Sequence, residues 1–133
     1  MDERTRDNLV IQAQAAQSKA VAPYSNFQVG AAILTKSGVT YSGCNIEVSS
    51  YGLTICAERV AIFKAISEGE REFDALAVIA KTAEFCPPCG ACRQVLMDYA
   101  PDLKIILLNS EGKSKETTIA DLFPEAFTGD FLV

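Results

Sequence analysis

The chain has 133 residues and a mass of 14.3 kDa, 49% of its residues are hydrophobic, and its formal net charge is −5 with no histidine. That length suits one domain with a core of its own, expected over residues 1–133, and is too short for two; the composition excludes a disordered or repetitive chain. The twelve basic residues are dispersed, which argues against a polynucleotide partner, and no apolar run approaches the roughly 18 residues of a membrane span, so a cytoplasmic protein is expected.

From Thr5 to about Ala20, Leu9, Ala13, Ala16 and Ala20 recur at helical spacing, and Pro23 ends the run, which predicts a covering helix. Phe27 to Leu34 and Val39 to Ile46 are apolar runs joined by Lys36-Ser37-Gly38, the composition of a hairpin turn. From Cys56 the residues Ala57, Val60, Ala61, Ile62, Phe63, Ala65 and Ile66 make the chain apolar on most of a helix circumference up to Gly69, a natural helix stop, which predicts a buried helix. Ala75 to Ala80 and Lys104 to Asn109 flank a second helix from Cys89 to about Tyr99; a strand-helix-strand unit makes those strands parallel. Ser110-Glu111-Gly112-Lys113 is too short for a crossover, so a strand at Lys115 to Ile119 must return antiparallel. The expected fold is a three-layer α/β/α domain with a mixed five-stranded sheet, both cysteine motifs opening helices.

Those motifs carry the chemistry. Cys56-Ala57-Glu58 and Pro88-Cys89-Gly90-Ala91-Cys92 supply three thiols for one metal ion and a carboxylate beside them. Without histidine, cysteine is the only soft ligand available. Tetrahedral zinc held by Cys56, Cys89 and Cys92 keeps a fourth position open for water, the arrangement of a catalytic site. Glu58, on the first helical turn, can approach that position without ligating, which makes it the candidate general acid/base. Three thiolates and a dication sum to −1, so charge must be drawn off the sulfurs. Helix starts at both motifs can do this, and Arg59 can donate to thiolates.

With these motifs in order, the chain resembles the small, all-cysteine, homotetrameric cytidine deaminases, one type among the zinc deaminases, whose first ligand is His or Cys. The resemblance covers nearly the whole chain. It extends to Pro23-Tyr24-Ser25-Asn26-Phe27, Gly43-Cys44-Asn45-Ile46-Glu47, Cys89-Gly90-Ala91-Cys92-Arg93-Gln94 and Leu122-Phe123-Pro124-Glu125-Ala126-Phe127. It implies one zinc per chain, no organic cofactor, and conversion of cytidine and 2′-deoxycytidine to the uridines with loss of ammonia, as in pyrimidine salvage, with Glu58 moving the protons. It further implies that Asn45 and Glu47 hold the ribose hydroxyls, that the Ala57 backbone meets the base carbonyl, and that Phe27 packs on the nucleoside. Tyr51 and Phe127 resemble residues that reach a neighbouring subunit's site in a homotetramer. One departure stands at Pro87, where the family has a small hydroxyl residue; its attributed role is a carbonyl facing the leaving amine, which proline keeps.

Other readings compete. Cys86-x-x-Cys89 has the spacing of a redox pair, and Cys86-x-x-Cys89-x-x-Cys92 begins like an iron-sulfur run, but Leu96 stands where a fourth cysteine is due. A closed structural Cys₄ zinc recruiting Cys86 is the stronger alternative, opposed by the stiffness of Pro87-Pro88. Cys44 reads as a small buried hydrophobe. Within the deaminases, an aminohydrolase for a cytosine-nucleoside antibiotic of the blasticidin S kind shares the cysteine motifs, and Asn45-Ile46-Glu47 favours a free ribose over it.

Overall fold

The structure is a computed structural model that describes residues 1–132. A mixed sheet of five strands runs in the order β2-β1-β3-β4-β5, with β1 Val29–Thr35, β2 Thr40–Cys44, β3 Phe73–Ala80, β4 Lys104–Leu108 and β5 Ser114–Thr118. Antiparallel β1 and β2 form the expected hairpin, β3 and β4 are parallel across a helical crossover, and β5 returns antiparallel. The sequence carried no signal for the neighbour that joins the two halves: β3 pairs antiparallel with β1, setting Val29 opposite Ala80. Seven of the eight residues of β3 are buried, which is why it reads as an unbroken apolar run. β5, Ser-Lys-Glu-Thr-Thr, is an edge strand whose charges blunt its free hydrogen-bonding side.

Helices cover both faces. α1 (Glu3–Gln17) starts two residues before the predicted Thr5, because Asp2 caps it by accepting the Thr5 N–H at 2.8 Å. Its Leu9 and Ala13 pack on Ala32, Leu34, Ala75, Ala77 and Ile106. On the opposite face α2 (Ala57–Ser67) and α3 (Gly90–Tyr99) pack on Ile33, Leu76, Val78 and Ile105, where Ala61, Ile62 and Leu96 are fully buried. α2 closes as its sequence predicts. Gly69 takes φ 101°, and the N–H groups of Gly69 and Glu70 donate to the carbonyls of Ile66 and Ala65. A short α4 (Ile119–Leu122), capped by Thr118, and 3₁₀ turns at Tyr51–Leu53 and Gly129–Leu132 had no periodicity to announce them.

Two predicted features shift. The second hairpin strand ends at Cys44, not Ile46; beyond it Ile46 makes single bridges to Val21 and Ile55, because the chain there is shared between two loops. Cys44 is half-buried, not a core hydrophobe, its thiol near the Lys19 carbonyl at 3.5 Å.

Gly43 sets how closely α2 lies on the sheet: a Cβ there would stand 2.8 Å from the Ala57 carbonyl oxygen and 2.7 Å from the Ala61 nitrogen. These are backbone atoms and cannot swing aside. Gly43→Ala is therefore expected to cost about 2 kcal/mol and roughly 8 °C in Tm. A thermal melt matching the parent would show that the helix has slack against β2.

Candidate metal centre and its cavity

Cys56 is the N-cap of α2 and Cys89 the N-cap of α3, with Cys92 in the first turn of α3. Since β3 leads into the Cys89 loop and Gly43 draws α2 onto β2, both helix starts converge on one place. The three sulfurs all lie within 4.8 Å of one another, with Cys56 to Cys89 and Cys89 to Cys92 each at 3.6 Å. Sulfurs about 2.3 Å from a tetrahedral zinc stand about 3.8 Å apart, so the spacing fits that ion. Among the described residues, this cluster is the only grouping of three or more such ligands, and Cys86 lies outside it, which opposes a closed Cys₄ site.

The electrostatics act unequally on the thiols. Hydrogen bonding from Cys92, with further donation from Arg59 and Cys89, lowers the Cys56 pKa to about 5. The Cys92 thiol is pushed the opposite way by its bond to Cys56 and by burial, and a bound dication would favour its thiolate. The Arg59 guanidinium approaches Cys56 Sγ at 3.5 Å through Nη2, as its position in the sequence suggested. Its Nε is buried with no hydrogen-bond partner.

Glu58 is 5% exposed. Burial, reinforced by the Cys56 charge, raises its pKa to about 7, where a carboxyl both accepts and donates protons near neutrality. It faces a cavity of about 150 Å³ that Phe27, Asn45, Cys56, Ala57 and Cys89 also line, closed by Val78 and Ala80 of β3 and by Cys86 and Pro87. The Val29–Ala80 register explains why the Phe27 loop arrives there. Ala57 is the first residue of α2, so its N–H has no partner within the helix and is free for a ligand.

The sugar-binding candidates are arranged less simply than alternation along a strand implies. Asn45 is buried at the cavity wall. Its Oδ1 accepts the Val29 N–H at 2.9 Å and its Nδ2 donates to the Phe27 carbonyl at 2.7 Å, leaving one N–H of the amide for a ligand. Glu47 lines a shallower neighbouring depression with Tyr24, Ser25, Tyr51 and Thr54. Thr54 borders both spaces, a role that no sequence signal announced. Tyr51 stands 72% exposed, edge-on to Tyr24 with ring centroids 5.6 Å apart. Phe127 is exposed, stacked on Phe131 at 5.8 Å, and does not line its own chain's cavity. Arg93 also proves structural to the site: it donates to the carbonyls of Pro88 and Leu122, lashing the metal loop to α4.

The family profile of the cytidine and deoxycytidylate deaminase zinc-binding region matches residues 3–108. The chain belongs to that family. It is 52% identical over 126 residues to a cytidine deaminase of Halalkalibacterium halodurans, covering 94% of this chain and 96% of that one. A crystal structure of cytidine deaminase from Burkholderia pseudomallei superposes with a TM-score of 0.89 at 47% identity, covering 96% of this chain and all of the other. A blasticidin-S deaminase of Bacillus cereus is 38% identical over 108 residues, 75% of this chain and 76% of its own. The mixed sheet and helix layers are thus those of cytidine deaminase structures, and the metal of this deaminase family is zinc, which the three-thiol cluster fits.

Arg59 is expected to matter for metal retention because it offsets the excess charge on Cys56. Arg59→Gln should weaken zinc affinity about 10- to 100-fold in a chelator competition, without unfolding the protein. An unchanged affinity would detach Arg59 from the metal centre.

Proposed function

We propose that this protein is a zinc-dependent hydrolase that converts cytidine and 2′-deoxycytidine to uridine and 2′-deoxyuridine with release of ammonia. The observation that carries the reading is the buried Glu58 carboxyl, with its pKa near neutrality, between three thiols placed to hold a metal ion and the cavity lined by Phe27 and Asn45. Cys56, Cys89 and Cys92 would hold the ion, which when bound supplies a Lewis acid that makes water acidic enough to act as a nucleophile near neutral pH.

The chain's own groups do the rest. Phe27 presents an apolar ring to the base, and the free N–H of Ala57 donates to the base carbonyl. Glu58 accepts a proton from water and passes it to N3 of cytosine, making C4 electrophilic as oxygen adds there. It then carries the second proton to the departing amino group, so that water and cytidine become uridine and ammonia. Asn45 and Glu47 recognise the sugar hydroxyls. Pro87 retains the backbone carbonyl that faces the leaving amine in this reading.

The exposed rings of Phe127, which does not line its own chain's cavity, and of Tyr51, at the open edge of the Glu47 depression, support a homotetramer in which each site is completed by a neighbour. A cytoplasmic role in pyrimidine salvage goes with small, diffusible substrates. No helix among the described residues is long and apolar enough to cross a membrane. The similarity to a blasticidin-S deaminase supports a second reading, deamination of a cytosine-nucleoside antibiotic. The acidic and amide groups at the sugar end favour a free ribose over it.

An ultraviolet assay of cytidine loss, run beside metal analysis, is expected to find turnover with about one zinc per chain. Zinc without turnover of cytidine or 2′-deoxycytidine would turn the assignment toward the antibiotic or a structural metal. Glu58→Gln should keep zinc and Tm while kcat falls by about 10²- to 10⁴-fold, and retained turnover would remove Glu58 from proton transfer. Phe127→Ala should raise KM for cytidine several-fold while zinc content stays constant. An unaltered KM would place that ring outside the neighbour's site.

A further inference from the structure

Ser25 belongs to none of the roles above, yet its hydroxyl sits at the centre of the polar circuit around the sugar end of the cavity. It donates to Glu47 Oε2 and accepts the Phe27 N–H at 3.0 Å. Glu47 Oε1 meanwhile accepts the N–H groups of Tyr24 and Ser25 at 3.0 and 3.1 Å. The Phe27 carbonyl accepts from Asn45 Nδ2 at 2.7 Å, so Glu47, Ser25, Phe27 and Asn45 form one connected chain of hydrogen bonds. Asn26, at φ 55°, bends the backbone so that the Ser25 hydroxyl can receive the amide two residues on; asparagine tolerates this left-handed conformation better than most residues.

Two backbone donors on one oxygen fix Glu47 at Oε1 only, and a carboxylate's terminal torsion is broad. The donor that fixes the second oxygen is Ser25. From this geometry we infer that Ser25 is a positioning residue for nucleoside recognition: its hydroxyl locks the Glu47 carboxylate toward the sugar hydroxyls and couples it to the Phe27 loop that carries the base-packing ring. The inference rests on the assignment of Glu47 to the sugar. Ser25 touches no reacting atom in this scheme, so its loss changes binding of hydroxyl-bearing sugars more than the chemical step.

The test compares cytidine with 2′,3′-dideoxycytidine on the zinc-loaded parent enzyme, Ser25→Ala and Ser25→Thr, with Tm measured for each. The parent is expected to have a KM for cytidine at least about tenfold below that for the dideoxy analogue, because a site built around hydroxyl groups penalises their absence. Ser25→Ala should raise the cytidine KM about tenfold, leave kcat within about twofold, and move the dideoxycytidine KM by less than about twofold, so that the discrimination collapses. Ser25→Thr keeps the hydroxyl and should restore discrimination to within about threefold of the parent. If Ser25→Ala discriminates like the parent, or raises both KM values in parallel, Ser25 does not position Glu47, although the sugar assignment stands. If Ser25→Thr loses discrimination as Ser25→Ala does, the hydroxyl is not the agent and the inference fails. A parent that does not distinguish the two nucleosides overturns the sugar assignment of Glu47, and this inference with it.

Discussion

Three sulfurs held within 4.8 Å of one another at the starts of two helices are the constraint around which the rest is organised. Thiols so close cannot all ionise in an apolar setting without compensation. The structure supplies it through the unpaired N–H groups of two helix termini, through Arg59, and through a site for a dication. The same crowding acts on Glu58, whose pKa rises chiefly through burial and secondarily through the Cys56 charge. A carboxyl poised between accepting and donating is thus a by-product of burying Glu58 beside the three thiols.

That assembly depends on backbone geometry more than on the ligands themselves. Gly43 lets α2 approach β2 closely enough to deliver Cys56, and Arg93 ties the Pro88 carbonyl to that of Leu122, holding the loop that delivers Cys89. The antiparallel pairing of β1 with β3 then brings the Phe27 loop against the end of the crossover unit. The cavity lies where a hairpin meets a strand-helix-strand unit, so neither half could form it alone. Its lining is mostly apolar and its polar groups are few, which suits recognition of a flat heterocycle by a small number of directed contacts.

At the sugar end the protein uses side chains to organise other side chains. Asn45 spends most of its amide on the backbone at Phe27 and Val29, and Glu47 receives three donors from Tyr24 and Ser25. These contacts reduce the freedom that a nucleoside would otherwise have to remove on binding, at the cost of fewer hydrogen bonds left for it. The exposed rings of Phe127 and Phe131 stand apart from this network, whereas Tyr51 borders it edge-on to Tyr24.

Much was legible in the sequence because the signals were local. The Cys56 and Cys89 motifs singled out the three thiols that cluster, Gly69 closed α2, alternating turn and apolar segments marked out five strands and three long helices, and chain lengths alone decided which strands were parallel. What sequence could not determine was non-local. The β1–β3 pairing, which places Phe27 at the metal centre, depends on packing between segments more than 40 residues apart, since Val29 faces Ala80. Likewise Thr54 on the cavity rim, the Ser25–Glu47 bond, and the end of β2 at Cys44 follow from which loops share a space. Residue type and spacing determine what chemistry is available to this chain, because ligand softness, helix capping and strand length act over a few residues. Which of those groups meet, and how deeply Glu58 is buried when they do, was decided only when the sheet closed, because burial and pKa depend on every element packed around the site.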